Sequence, residues 1–397
     1  MREYLIVLLL FLGSALITQA QVQTCDCEAD LTFLNEKVQK LPSYKKNKSA
    51  YEATFNTVQK SVTSQMPYYD CLELINRVLL PLNDWHMGAL EKAMDSTTVS
   101  YVTYPTYQGD LDQLLGNLQD KSLNEVEGIY PMNDDFSIAV VYDEQAKAYL
   151  GVVLKSNLEQ WSRGDIIYKF IPISDNFYKV IGAQFPSKRL ISYHERINEG
   201  VILRAGIKKD TASTYFIKNP YPDEVFLFKE LSADTDYIKV GSFDSFYPLL
   251  SEAEDFYRSL EGKLTKSHLI VDLRDNGGGG DRNSDILLKQ LKKYLKDHKI
   301  YVITNASTGS NAEQFTAKLK EFDNVLTYGD KTRGALSYEI KPNDYHTLPS
   351  SGFLVILPSK AHSQFLKYET KGVTPDYLLD YKKSWISEIQ KQIEEEN

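Results

Sequence analysis

His268-Leu269-Ile270-Val271-Asp272-Leu273-Arg274-Asp275-Asn276-Gly277-Gly278-Gly279-Gly280 is the stretch that decides the fold. Its opening run is apolar at nearly every position. A strand that is apolar on both faces is covered on both sides, the condition of a parallel sheet flanked by helices. The four glycines directly after it cost backbone entropy, so something must require them. One reading is a tight strand-to-helix turn; another is a phosphate cradle. A phosphate loop wants Lys-Ser/Thr after its glycines, and Asp281-Arg282-Asn283 follows instead. A third reading is a backbone whose N–H groups approach a ligand closely, as an oxyanion hole requires.

Working outward, strands and helices alternate on both sides of this stretch. Tyr237–Val240 reads as a strand, Leu249–Leu260 as a helix, Ser284–Leu295 as a helix, Ile300–Thr304 as a buried strand and Ala312–Leu319 as a helix. That rhythm predicts an α/β core built on a mixed or parallel sheet. Trp385, Ile386, Ile389 and Ile393 form one apolar stripe, which predicts a final amphipathic helix.

Upstream the pattern changes twice. Leu31, Phe33, Leu34, Val38 and Leu41, then Leu72, Leu74, Ile75, Val78 and Leu79, recur at helical spacing. Pro81 and Asn83-Asp84 end the second run and put Trp85 and His86 on a turn. Beyond residue 98 come short runs rich in Val, Ile and Tyr, such as Ser137–Tyr142 and Tyr149–Leu154, separated by turn signals. They predict a small β domain, with a barrel as one form it could take. The expected division is a leader over 1–20, a helical region over 21–98, a β-rich domain over 99–219 and the α/β core over 220–397. Asn219-Pro220-Tyr221-Pro222 marks the last joint.

The leader reading rests on Arg2, the apolar run Leu5–Leu12 and the small-residue site ending at Ala20. It predicts export to a periplasm or the cell exterior, with no stable membrane insertion after cleavage. Export permits disulfides, so Cys71 is expected to pair with Cys25 or Cys27. Three cysteines without histidine neighbours do not make a zinc site. A net charge of -9 argues against a nucleic-acid partner.

A second turn carries candidate chemistry. Ser307-Thr308-Gly309-Ser310-Asn311-Ala312-Glu313 follows the strand ending at Thr304 and opens a helix. Such a corner exposes one side chain at the carboxyl edge of the sheet, where ligands bind in open α/β folds. Ser310 can be a nucleophile there, or a plain helix cap with Glu313 completing a capping box. Ser307 is the competing nucleophile. A serine hydroxyl needs a base. Six histidines are available, at positions 86, 194, 268, 298, 346 and 362, and nothing local selects among them. An esterase of the α/β-hydrolase type would want Gly-x-Ser-x-Gly, which is not what surrounds Ser310.

Four motifs occur in order: Asp272–Gly279, Gly309–Glu313, Gly329-Asp330-Lys331-Thr332-Arg333-Gly334, and Gly372-Val373-Thr374-Pro375-Asp376. Together they resemble the core of the C-terminal-processing (tail-specific) serine peptidase family. The resemblance implies a ClpP/crotonase-like core and cleavage of a peptide or protein substrate with no metal or cofactor. It implies Ser310 as nucleophile, with Asn311 and Gly277 or Gly278 supplying the oxyanion N–H groups.

The family's lysine style places its base directly after the second glycine of Gly-x-x-Thr-x-Gly. Ala335 stands there, and Lys331 sits earlier in the turn. Its tricorn-type style uses serine, histidine and glutamate, which this chain resembles more closely. Asp84-Trp85-His86 is similar to that style's histidine motif, and Glu369 stands where its glutamate lies. His86 is then the implied base and Glu369 the group that orients it. The tricorn type carries a polar residue before the histidine, where this chain has Trp85. A binding protein on the same scaffold, without catalysis, is the alternative reading. The sequence sets no oligomeric state.

Overall fold

The computed structural model describes residues 23–92 and 102–396. The leader expected over 1–20 lies outside the described residues. No helix among them is long and apolar enough to cross a membrane.

The α/β core is a six-stranded mixed sheet. Its strands run in chain order across it: Phe226–Glu230, Thr235–Val240, His268–Asp272, Lys299–Thr304, Val325–Gly329 and Tyr377–Leu378. The first pair is antiparallel and every later pair parallel. Leu269, Ile270 and Val271 have no exposed surface, because each face of the sheet is covered. Helices Leu249–Ser259, Asp281–Tyr294 and Asn311–Leu319 bury Tyr257, Leu287, Leu291 and Phe315 against one face. Helix Trp385–Glu396 lays Trp385, Ile389 and Ile393 against Tyr237, Ile270, Tyr301 and Tyr328 on the other. With parallel strands, the carboxyl ends gather at one edge. The turns after Val240, Asp272, Thr304 and Gly329 therefore meet there.

Residues 128–208 form an eight-stranded sheet whose neighbours in space are neighbours in sequence, from Gly128–Asn133 to Ile207–Lys208. The sheet curls until its last strand lies against its first, with no ladder joining them. It is a strongly curved meander rather than a closed barrel. The Lys209 ammonium spans the gap, donating to the carbonyls of Ser122, Glu125 and Glu127.

Among the described residues, helices Cys27–Val38, Pro42–Val58, Tyr68–Leu79 and Leu111–Leu118 precede this sheet. Cys27 pairs with Cys71, and Cys25 is buried and free. The helical expectation for the region fails at its end. After a 3-10 turn at Leu80–Leu82, Asn83 takes a left-handed conformation (φ 50°) and Gly88–Leu90 becomes a strand. That strand pairs with Leu354–Ile356, a partner more than 250 residues away in the chain. Asn76 enforces the change from its helix: its amide donates to Ala89 O and accepts from Ala89 N, both at 3.1 Å.

Candidate active site

The glycine stretch is shaped by its polar neighbours. Asp272 pairs with Arg274 in the interior, and Arg274 donates onward to Phe216 O and Lys218 O. Asp275 sits at φ 64° and accepts from Asn219 N and Lys218 Nζ. Asn276 is the hub. Its side chain donates to Val240 O at 3.0 Å and accepts from Gly278 N at 2.9 Å, and its carbonyl accepts from Gly309 N at 2.9 Å. Through its side-chain amide and its own carbonyl, this one buried residue ties together the turns after three strands. Gly278 needs its missing side chain: at φ 107°, a Cβ would stand 2.7 Å from Ser310 Cβ and from Gly309 O.

Ser310 occupies φ 54°, ψ -122°, a conformation sparsely populated by residues with a side chain. Its N–H donates to Glu313 Oε2 at 2.9 Å, while its hydroxyl makes no cap bond. Ser310 and Glu313 are set as a capping box, whose firm hydrogen bond is the one from Ser310 N to the Glu313 carboxylate. Glu313, fully buried, also accepts from Thr332 Oγ1 and from the N–H groups of Gly334 and Ala335. It locks the nucleophile turn to the 329–335 turn.

The Ser310 hydroxyl meets His86. Nε2 of His86 lies 3.1 Å from Ser310 Oγ, across 224 residues of chain. The other histidines are engaged elsewhere. His268 meets Tyr301, His298 meets Tyr294 O and His362 meets Glu339. His194 stacks under Trp85, and His346 sits in the Tyr345–Thr347 strand. Ser307 accepts from Lys218, and among the described residues no histidine hydrogen bonds to it. The Ala335 methyl is buried where the lysine style would place its base. Among the described residues no lysine hydrogen bonds to Ser310.

Burial, and after it the charge of Arg333, lower the His86 pKa to about 4. The ring is therefore neutral at physiological pH, the state a general base needs. Its Nδ1 is buried and has no hydrogen-bond partner. The nearest carboxylate oxygen is Asp84 Oδ1, 3.9 Å away, and that oxygen already accepts from His86 N at 3.0 Å.

Two expectations need correction. Glu369 reaches the site but does not touch the ring. Its Oε1 accepts from Trp85 N at 3.0 Å, and its Oε2 accepts from Leu336 N at 3.0 Å and Ser337 N at 2.7 Å. Three converging backbone donors satisfy the carboxylate, so it fixes the main chain before His86. Burial pushes its pKa up to about 7, and those three bonds pull the other way. Asp84, buried with it, is held well above the usual carboxylate range by burial and by the Glu369 charge.

The second correction concerns Gly278, whose N–H is consumed by Asn276. Among the described residues the N–H groups of Gly277 and Asn311 have no acceptor. They are the pair left to face an oxyanion, and Gly277 lies at the exposed lip.

Trp85 takes the place of the expected polar residue and anchors the histidine turn by packing. Its ring stacks on His194 at 4.6 Å and 6°, and meets Phe177 at 5.1 Å. Asn276, Asp84 and Arg333 all lie inside the quoted motifs, but only the folded turns show what their side chains hold.

No family model matches the sequence, and no curated protein matches it. Among solved structures, mature CPAF is similar at 13% identity and a TM-score of 0.46, over 93% of this chain and 96% of that one. The photosystem II D1 C-terminal processing protease is similar at 14% identity and a TM-score of 0.42, over 90% and 94%. A lipoprotein from Streptococcus agalactiae is similar at 19% identity and a TM-score of 0.33, over 44% and 71%.

Proposed function

We propose that this chain is an exported serine endopeptidase that works through a Ser310–His86 pair, acting on peptide or protein substrates. The observation that carries the reading is the 3.1 Å contact between His86 Nε2 and Ser310 Oγ at the carboxyl edge of the sheet. The resemblance of the four ordered motifs supports it, and the 1–20 leader supports export.

His86 takes the proton of the Ser310 hydroxyl as the oxygen attacks the substrate carbonyl. The tetrahedral oxyanion receives the N–H groups of Gly277 and Asn311, and loss of one such donor costs about 3–4 kcal/mol of transition-state stabilisation. Asn311 also opens a helix, whose dipole favours negative charge at that end. The imidazolium returns its proton to the leaving amine, and water then hydrolyses the acyl-enzyme. Glu369 holds the turn that carries the base, and Asp84 is the carboxylate nearest the imidazolium as it forms.

A fluorophosphonate probe and casein digestion test the reading together. The protein should be labelled at Ser310 and should cut casein. Ser310→Ala should abolish both with little change in thermal midpoint. The second reading, a binding protein on this scaffold, draws on the unpartnered Nδ1 of His86. Absence of labelling in a folded protein would favour it.

A further inference from the structure

Of the four consecutive glycines, Gly277 and Gly278 belong to the oxyanion turn, while Gly279 and Gly280 serve a different segment, Phe243–Tyr247. Phe243 N donates to Gly278 O and Gly280 N donates to Phe243 O, both at 2.9 Å. The approach is close enough to require glycine: at φ 148°, a Gly279 Cβ would stand 1.9 Å from Phe243 O. Ser245 Oγ adds a bond to Gly280 O at 3.0 Å. Asn283, buried in the following helix, donates to Asp244 O at 2.7 Å and accepts from Tyr257 OH at 2.8 Å. Asp244 in turn accepts from Phe246 N at 3.0 Å. The Phe243 ring packs on Phe315 of the Asn311–Leu319 helix at 4.9 Å. The loop is thereby fastened to the oxyanion turn and to the helix that Ser310 caps.

Its base is buried, yet its tip is bare. Among the described residues Phe246 and Tyr247 are the most exposed large apolar side chains, at 75% and 66%. Arg282 flanks the second ring, with Cζ 5.7 Å from its centroid. Two adjacent rings left in water by so firmly held a loop mark a contact surface. Their free area, roughly 250–350 Å² for two aromatic side chains at these exposures, is far below the roughly 800 Å² per partner of a stable protein interface. It suits an occupant the size of one or two side chains.

Position selects the occupant. Phe243 touches Gly278, and the three residues from there to Phe246 span at most about 11 Å. A Gly278 Cβ would in turn stand 2.7 Å from Ser310 Cβ. An extended peptide advances about 3.3 Å per residue. The pair is therefore within reach of a side chain about four residues from a bond held at Ser310.

Resting on the peptidase reading, we propose that Phe246 and Tyr247 form a substrate subsite for an aromatic or large aliphatic side chain a few residues from the scissile bond. The rings take that side chain out of water, and the fixed loop sets its distance from the nucleophile.

The test separates binding from turnover. The probes are a glycine–serine nonapeptide amide with one central phenylalanine and the same peptide with serine there. On the Ser310→Ala protein, saturation-transfer NMR should show the first binding at least about tenfold more tightly. Adding Phe246→Ser and Tyr247→Ser should erase the difference with the thermal midpoint unchanged, since both side chains are exposed. Equal binding of the two peptides, or a preference that survives the double substitution, would overturn the subsite. A dimer seen by sedimentation in the wild-type protein and lost in the double variant would overturn it too, assigning the rings to a second copy. In parallel, casein fragments from the wild-type protein should be enriched in aromatic or large aliphatic residues at one fixed position within about four residues of the cut. The double variant should lose that enrichment and keep fluorophosphonate labelling of Ser310. A protein that prefers the phenylalanine peptide but is neither labelled nor active on casein would sink the peptidase reading and leave the contact surface standing. A labelled, active protein without the preference would do the reverse.

Discussion

Trp85 and Glu369 stand 284 residues apart in the chain and are joined by a 3.0 Å hydrogen bond from the Trp85 N–H to Glu369 Oε1. Through that bond the carboxylate sets the course of the backbone into His86. The same side chain holds Leu336 N and Ser337 N on the far side of the site. It is a clasp between the histidine turn and the segment after Gly334.

Glu369→Gln should break the clasp. Both carboxylate oxygens accept, so whichever way the amide turns, its NH2 faces a backbone donor. The expected destabilisation is about 1–3 kcal/mol, the cost of a buried donor left without an acceptor. Turnover should fall with it, because the base loses its anchor. Thermal midpoint and kcat are the measurements. An unchanged midpoint together with an undiminished kcat would remove Glu369 from this role.

The pH profile follows from His86. Catalysis requires the neutral ring, and its pKa is lowered from an ordinary 6.5 to about 4. The acid limb of kcat/KM assigned to the base should therefore lie near pH 4, well below 6.5. Stability carries the same sign. Between about pH 6.5 and 4 the unfolded chain protonates this histidine while the folded chain does not, so its contribution is lost as pH falls through that window. Glu369 acts oppositely. Its raised pKa, about 7, means the folded state keeps a proton that the unfolded state has released, so stability declines as pH rises from about 4.5 to 7. Urea titrations of wild type, His86→Ala and Glu369→Gln across pH 4–7 should show slopes that shift in opposite directions.

Gly277 and Gly278 are neighbours with opposite tolerances. A Cβ at Gly278 would collide with Ser310 Cβ at 2.7 Å, on a backbone at φ 107°. Gly278→Ala should displace the nucleophile, lower activity by at least about a hundredfold and destabilise the fold by about 1–3 kcal/mol. At Gly277 the nearest atom to a Cβ is Arg333 Nη2 at 3.7 Å, an ordinary contact. Gly277→Ala should fold as wild type, with any loss confined to kinetics. Equal midpoints for the two variants would contradict the packing described.

The core was legible because its signals are local. His268–Asp272 and Lys299–Thr304 each carry an apolar run, Leu269–Val271 and Ile300–Ile303, between polar ends, and a buried parallel strand needs little more to declare itself. The helices at Leu249–Ser259 and Asn311–Leu319 fall within a residue of their predicted bounds. What was not legible depends on distant partners. Gly88–Leu90 is a strand only because Leu354–Ile356 lies beside it. Nothing within a few residues of Glu369 shows that three N–H groups from two segments will converge on it. Nor does the repeated glycine show that Asn276 consumes the Gly278 N–H and leaves that of Gly277 free. Periodicity reports burial, whereas hydrogen-bond assignment is decided by geometry that forms only when the turns meet.

The Cys27–Cys71 bond connects stability to the site. It pins the Tyr68–Leu79 helix to the first helix, and the Tyr68–Leu79 helix carries Asn76, which holds Ala89 three residues beyond His86. Closing a loop of 44 residues removes unfolded-state entropy worth about 4 kcal/mol in the chain-entropy model. Cys27→Ser with Cys71→Ser should therefore lower the midpoint markedly and loosen the base, reducing kcat before the protein unfolds. Cys25 adds an independent check. It is buried, and burial followed by the charges of Asp30 and Asp26 pushes its thiol up to about 12. The native protein should show no thiol reactive to Ellman's reagent, and the unreduced, denatured protein one per chain. Two or more thiols in the denatured protein would mean that the bond is not formed. The midpoint should then match that of the double serine variant, and the histidine turn would lack its covalent support.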